Sequence, residues 1–225
     1  MKLQDIAESI DVSKTVPIDF KGRKYLPISG DLAGEGVQAR VYKTGIGTVT
    51  KVAVIDRDAG LHDSAVKFLE LILKHQDNPF FPRIYHAKIY EDKTGERKHN
   101  ILVVQMEKLV PLKSPKIRDS VVEMMRRLGI HEPPSRHDKE TFIDSIDYNL
   151  AQFNVGVWRD DDKFKDILRR TTNPKFKEAF ELMHDGFELF GTDLHSGNMM
   201  VRLTSSGPQL VVIDPFGATT FDDDI

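Results

Sequence analysis

Cysteine is missing from this chain, tryptophan occurs once, and no apolar run approaches the length of a membrane span. The first absence excludes disulfides and thiolate metal sites, and fits a reducing cytoplasm. Charge of one sign is also lacking. Thirty-two Lys and Arg stand against 35 Asp and Glu, a net charge of −3 over 225 residues. No global basic field therefore recommends nucleic acid as a partner. Met1 to Val12 carries four charges and no long apolar stretch, so no signal peptide is expected. Internal repeats and low-complexity segments are absent as well. What is present is 40% hydrophobic and 30% charged residues, enough for one large domain or two small lobes around a core. The composition predicts a soluble cytoplasmic protein with no membrane partner.

Along the chain, residues 1–24 mix short apolar pairs with charges and read as an arm or frayed helix. From Tyr25 the pattern turns β-like, with runs Tyr25 to Leu32, Ala39 to Lys43 and Val49 to Ile55. Gly34-Glu35-Gly36 and Thr44-Gly45-Ile46-Gly47 separate them as hairpin turns. Val66, Leu69, Ile72 and Leu73 recur at helical spacing and predict a helix over His62 to Gln76, capped by Asp63 or Ser64 and stopped at Asn78-Pro79. Strands Arg83 to Tyr90 and Asn100 to Gln105 follow, joined by a polar turn over Glu91 to Lys98. Five strands and one helix predict an antiparallel sheet with a helix on it, an α+β arrangement. Beyond Pro111 the reading is helical: Ile117 to Leu128, Lys139 to Phe153, Lys163 to Arg170 and Lys175 to Leu189, with a loop at Gly129 to His137 around Pro133-Pro134. Two short apolar strands close the pattern, Met199 to Leu203 and Leu210 to Ile213. The Asp222-Asp223-Asp224 tail reads as a solvated end.

The chemistry concentrates at that last hairpin. Phe190-Gly191-Thr192-Asp193-Leu194-His195-Ser196-Gly197-Asn198 leads into the first strand, and Asp214 closes the second. Asn198 and Asp214 could give a hard divalent cation its oxygen ligands, with substrate phosphates completing the shell. Asp193 would then accept a proton from an attacking hydroxyl. Taken alone the stretch is equally well explained as a turn, since Asp, Gly, Ser and Asn are turn formers.

Four features upstream add to it. Gly34 and Gly36, followed by Val37 and Ala39, form a glycine turn between strands where backbone N–H groups can approach phosphate oxygens; a plain hairpin turn explains it too. Lys51 lies within the apolar strand Val49 to Ile55, either on a wet face or reaching toward phosphates. Glu70 falls on the inward stripe of the following helix, where a carboxylate wants a cation such as Lys51. Met106-Glu107-Lys108-Leu109 carries an apolar strand into a polar connector, where backbone groups are free to hydrogen-bond a planar heterocycle and Met106 lines the slot. Each has a structural explanation by itself; the order in which they occur does not.

In that order the chain resembles the protein-kinase-like superfamily over Tyr25 to Asp214. Gly34 to Val41 is similar to the glycine-rich loop, with Ala39 in place of the third glycine. Lys51 and Glu70 resemble the ATP-anchoring ion pair. Met106, Glu107 and Leu109 stand where gatekeeper and hinge stand, Asp193 as catalytic-loop base, and Asn198 and Asp214 as metal ligands. The resemblance implies a two-lobed α+β fold: an N-terminal lobe over 25–109 and a reduced helical C-terminal lobe over 110–225. It also implies ATP and Mg2+ as cofactors. Gly191 and Thr192 replace the usual His-Arg pair, and Asp214-Pro215-Phe216 replaces Asp-Phe-Gly. His195 resembles the style of aminoglycoside and choline kinases. The Asp-x-His-Ser-Gly-Asn motif with a later Asp-Pro resembles early Ser/Thr protein kinases of short-tailed phages, for which the compartment would be the host cytoplasm.

With eleven residues after Asp214, the acceptor is expected to be held by the helices between Ile117 and Leu189, by the tail or by a protein partner. Three functions remain open: a protein Ser/Thr kinase, a small-molecule kinase, and a pseudokinase that binds a partner without turnover. His131 and His137 read as exposed rather than as metal ligands.

Overall fold

The computed structural model describes residues 17–20, 23–27, 30–35, 39–56, 63–91, 99–128, 165, 168–169 and 171–216. The chain forms two compact units, one from Met1–Val66 with Arg83–Lys108 and the other from Lys67–Pro82 with Leu109–Ile225. The expected helix Lys139 to Phe153, the loop with Pro133-Pro134, His131 and His137, the turn over 92–98, Gly36, Val37 and the acidic tail lie outside the described residues.

The class is α+β. In the first unit, β1 (Pro17–Phe20) and β2 (Arg23–Pro27) form an antiparallel pair. Strands β3 (Leu32–Glu35), β4 (Ala39–Gly45), β5 (Thr48–Asp56), β6 (Ile84–Glu91) and β7 (His99–Glu107) form a five-stranded antiparallel sheet in the order β3-β4-β5-β7-β6. Two details differ from the sequence reading. Tyr25 to Leu32 is not one strand, because β2 ends at Pro27 and β3 begins at Leu32. Gly34-Glu35 is not a separator: both residues pair with β4, Gly34 opposite Val41 and Glu35 opposite Arg40. Ladder hydrogen bonding has taken up backbone that glycine content marks as turn.

Strand β5 is flanked on both sides, by β4 and β7. Alternation then assigns its side chains to opposite faces. Val52 joins Tyr42, Ile101 and Val103 in an apolar cluster on one face, with Tyr90 packed against it. Val49, Lys51, Ala53 and Ile55 occupy the other, opposite Met106, Val104 and Leu102 of β7.

Asp63 caps helix α1 (Ser64–Lys74), which begins in the first unit and continues into the second; its Oδ1 accepts from the N–H groups of Ala65 and Val66. The second unit gathers its core around phenylalanine. Val66, Phe68, Leu69 and Ile72 of α1 are buried. Helix α2 (Arg118–Arg127) buries Val121, Met124 and Met125 at helical spacing. Helix α3 (Pro174–Phe190) starts with Asn173, whose side chain accepts from Lys175 N and Phe176 N, and with Pro174 in the first turn. Phe176, Phe180, Met183 and Phe187 form its buried stripe. The Phe80 ring lies tilted 4.9 Å from Phe176, which lies 4.7 Å from Phe180. A three-stranded antiparallel sheet, β10-β9-β8, lies in the same unit: β8 (Val110–Pro111), β9 (Met199–Thr204) and β10 (Gly207–Val212).

Asn78 fixes the connection after α1. It is 1% exposed, its Nδ2 donates to Lys175 O at 3.0 Å and its Oδ1 accepts from Phe80 N at 3.0 Å. Arg202 of β9 grips the same segment, donating to the carbonyls of Pro79 and Phe81. At the surface, a hydrogen bond from Lys175 holds the Asp77 carboxyl below its ordinary range. A depressed carboxyl stabilises the fold above its unfolded value and loses that contribution as pH falls through the folded one. Asn78→Ala leaves the buried Phe80 N–H without its acceptor and removes a donor to Lys175 O, so it is expected to lower the free energy of unfolding by about 1–3 kcal/mol in urea titration. Asp77→Asn, at an exposed pair, is expected to leave that titration nearly unchanged.

Candidate functional site

Helix α3 ends where the Asp193 stretch begins. Gly191 caps it with φ 69°, its N–H donating to Phe187 O. This is a left-handed conformation that residues with a Cβ adopt reluctantly. The chain leaves the helix into an isolated bridge between Thr192 and Phe216. Asp193 N then donates to Pro215 O at 2.8 Å, and Ile213 N donates to Asn198 O at 2.9 Å. The two hydrogen bonds bracket Asp214, one on each neighbour, and fasten it to the loop that carries Asp193 and Asn198.

Within the loop the side chains are also joined. Asn198 Nδ2 donates to the Asp193 backbone O at 2.8 Å and to Asp193 Oδ2 at 2.9 Å. This double attachment fixes the amide orientation, leaving Oδ1 as the atom of Asn198 suited to a hard cation. His195 Nδ1 accepts from Gly197 N at 3.0 Å, while its Nε2 stands 3.7 Å from Asp193 Oδ2. An acceptor Nδ1 puts the proton of the neutral ring on Nε2, facing the carboxylate. At Gly197 a Cβ would come within 2.7 Å of the imidazole, so a larger residue there would displace the ring. Asp193 and His195 are both half-exposed. Leu194, between them, is fully buried and anchors the loop.

Phe216 holds the far side. Its ring lies 5.5 Å from Phe68, 5.7 Å from Phe187 and 5.8 Å from Phe190. It enters α3 at Gly186, where a Cβ would overlap the ring. Mid-helix glycine costs about 1 kcal/mol relative to alanine; here it creates the notch that receives Phe216. Asp-Pro-Phe thus fixes the backbone after Asp214 by burying the aromatic two residues later.

The remaining expected residues divide between the units. In the first, the register places Gly34, Ala39, Lys51 and Met106 on one sheet face: Gly34 opposite Val41, Val41 opposite Lys51, Ala39 opposite Ala53, and Met106 opposite Val49. Ala39, Lys51 and Met106 are half-buried among more deeply buried Ala53, Leu102 and Val104. Lys51 therefore shares the apolar face. Gly34 has open space where a Cβ would project, so packing does not demand glycine there.

The connector departs from expectation. Glu107 is buried and turned to backbone, its Oε1 accepting from Arg83 N at 2.9 Å. The Glu107 N–H donates to Arg83 O and the Lys108 N–H to Gly47 O. Those two donors, expected to be free for a heterocycle, are consumed in holding β7 to its neighbours; Leu109 is buried. In the second unit, Glu70 forms an i,i+3 ion pair with Lys67 at 3.5 Å.

Sequence reading passed over a cluster on α3. Ligand atoms of His184, Asp185 and Glu188 lie within 4.8 Å of one another, and the i,i+4 spacing of His184 and Glu188 was the available signal. Asp185 and Glu188 are exposed, an arrangement common without any ion. Among the described residues no helix is long and apolar enough to cross a membrane. No protein-family model matches the chain, and no curated protein matches it.

Gly186→Ala, ordinarily a stabilising exchange in a helix, is expected to lower the melting temperature because the methyl displaces Phe216. A raised melting temperature would remove the notch from this account.

Proposed function

We propose that this chain is an ATP- and magnesium-dependent phosphotransferase of protein-kinase-like fold, acting on Ser or Thr hydroxyls of a protein acceptor. The supporting observation is the pair of backbone hydrogen bonds that tie Pro215 and Ile213, the two neighbours of Asp214, to Asp193 and Asn198, with the Asn198 amide held by Asp193. The Asp214 carboxylate and the Asn198 amide oxygen are all-oxygen donors, suited to magnesium and poorly suited to softer ions. Asn198 and Asp214 would hold the metal, which when bound neutralises charge on the phosphate oxygens. In the other unit, Lys51 and the backbone at Gly34 would serve the nucleotide phosphates.

Asp193 then has one task. Its carboxylate orients the acceptor hydroxyl and takes the proton as the oxygen–phosphorus bond forms and ADP leaves. Two donors, Asn198 Nδ2 and the Nε2–H of His195, face Oδ2, which orients the carboxylate before substrate arrives. Such preorganisation is the main contribution a protein makes to phosphoryl transfer. A small-molecule acceptor is a second reading, favoured by His195 two residues beyond Asp193.

Incubation with γ-labelled ATP and a cell lysate is expected to label protein bands; label confined to small molecules selects the second reading, and no transfer in either fraction overturns both. Asp193→Asn is expected to keep ATP affinity while lowering transfer by about a thousandfold or more. Asp214→Asn and Lys51→Met are expected to weaken magnesium–nucleotide binding itself, read by calorimetry. Full transfer by any of the three variants contradicts its assigned role.

A further inference from the structure

The five-stranded sheet is dry at its centre on both faces. Val52, Ile101 and Val103 are 3%, 4% and 4% exposed, as deeply covered as Ala53, Leu102 and Val104 on the opposite face. An antiparallel sheet with water on one side alternates apolar and polar residues instead. Yet the cluster around Val52 draws on strands alone: Tyr42 of β4, Val52 of β5, Ile101 and Val103 of β7, with Tyr90 of β6 against it. Among the described residues no helix joins it. The burial arises within a single chain, so the cover belongs to the chain itself.

Few segments of the first unit could supply that cover. Outside the described residues the unit contains 1–16, 21–22, 28–29, 36–38, 57–62 and 92–98. Asp92 to Lys98 has no apolar side chain, and 57–62 has only Ala59 and Leu61. The pairs and the triplet are too short to cross three strands. Strand β1, which follows residue 16, pairs only with β2. Residues 1–16 carry a series the others lack: Leu3, Ile6, Ala7 and Ile10 stand at the spacing of one helical face.

Dimensions and charge agree with that choice. From Leu3 to Ile10 a helix rises about 10 Å, and β4 and β7, two strand spacings apart, are separated by roughly 9–10 Å. Register puts Arg40 beside Val52 and Lys88 beside Val103 on the same face, so a cation stands on each side of the apolar strip. Lys88 Nζ lies 4.8 Å above the Tyr90 ring. The first twelve residues set Asp5, Glu8 and Asp11 against Lys2, a negative partner for a face with cations at its edges.

We propose that residues 3–10 dock as a helix across this face, seating Leu3, Ile6 and Ile10 on Tyr42, Val52 and Ile101. The docked segment braces β5 from the side opposite Lys51. Docking of this kind is independent of phosphate transfer.

Because the chain has no cysteine, a single introduced thiol is the only one that reacts. Val52→Cys places it on the covered face and Ala53→Cys on the opposite one, each in the full chain without nucleotide. Both thiols are expected to resist dithionitrobenzoate. Adding Ile6→Asp and Ile10→Asp is expected to speed labelling at position 52 at least tenfold and to leave position 53 unchanged, while Ser9→Asp, off the stripe, changes neither. Unchanged labelling at position 52 overturns the docking. Equal acceleration at both positions marks general loosening of the unit and overturns it too. Should the double substitution prevent folding, benzoylphenylalanine at position 10 of the otherwise unaltered chain gives a second measurement. Irradiation is expected to join it to residues 39–45, 48–56 or 99–107 of the same chain. Capture by residues of the second unit, cross-linked dimers or no cross-link at all overturns the proposal, dimers identifying a second copy as the occupant. If docking holds and the chain fails to bind magnesium–ATP, the phosphotransferase reading fails alone. If magnesium–ATP binds and labelling at position 52 is indifferent to Ile6 and Ile10, the docked segment fails alone.

Discussion

The placement of Asp214 depends on an aromatic ring entering a helix. Phe216 occupies the space that a side chain at position 186 would need, and the stretch before it is thereby drawn against the end of α3. From that contact follow the Thr192 to Phe216 bridge, the hydrogen bond from Asp193 to Pro215 and the one from Ile213 to Asn198. Each is a modest interaction, of order 1 kcal/mol for a backbone hydrogen bond. Their joint effect is geometric: the backbone on either side of Asp214 is tied to the loop that carries Asp193 and Asn198.

Organisation of the loop follows a second constraint, the need to hold a carboxylate partly in water without letting it wander. Burying Leu194 provides the anchor and leaves Asp193 and His195 facing out on either side. Asn198 and His195 then both face Oδ2, at 2.9 and 3.7 Å. The imidazole is itself restrained through Gly197, whose missing Cβ admits the ring. Two glycines in this region are thus explained by what comes close to them.

Much of this was legible in the residues. Helical periodicity located α1, α2 and α3 within a few positions, because each buries an apolar stripe at regular spacing. Strands β5 and β7 were visible as apolar runs for the same reason. The end of β2 and the start of β3 were not, since Pro27 and Leu32 belong to one β-like composition and only pairing distinguishes them. Gly34 misled in a related way: glycine marks turns by its conformational freedom, but β4 offered its backbone a ladder. Lys51 was ambiguous until the register assigned it to the face of Val49 and Ala53. Side-chain direction at Glu107 was illegible, because nothing local signals that its carboxylate caps the N–H of a residue twenty-four positions earlier. Phe216 was likewise invisible, since its partner is an empty space on another element.

The β9–β10 hairpin has a consequence for how this protein can vary. Its pairing runs without a bulge from Met199 opposite Val212 to Thr204 opposite Gly207, so inward and outward positions are locked in step. Losing or gaining a single residue within β9 would turn its inward set, Val201 among them, outward, and within β10 would do the same to Leu210. Natural variation in length is therefore confined to the exposed Ser205-Ser206 tip, or must come in pairs. New chain ends opened at that tip, with the old ones joined elsewhere, would leave the ladder beneath Asn198 intact.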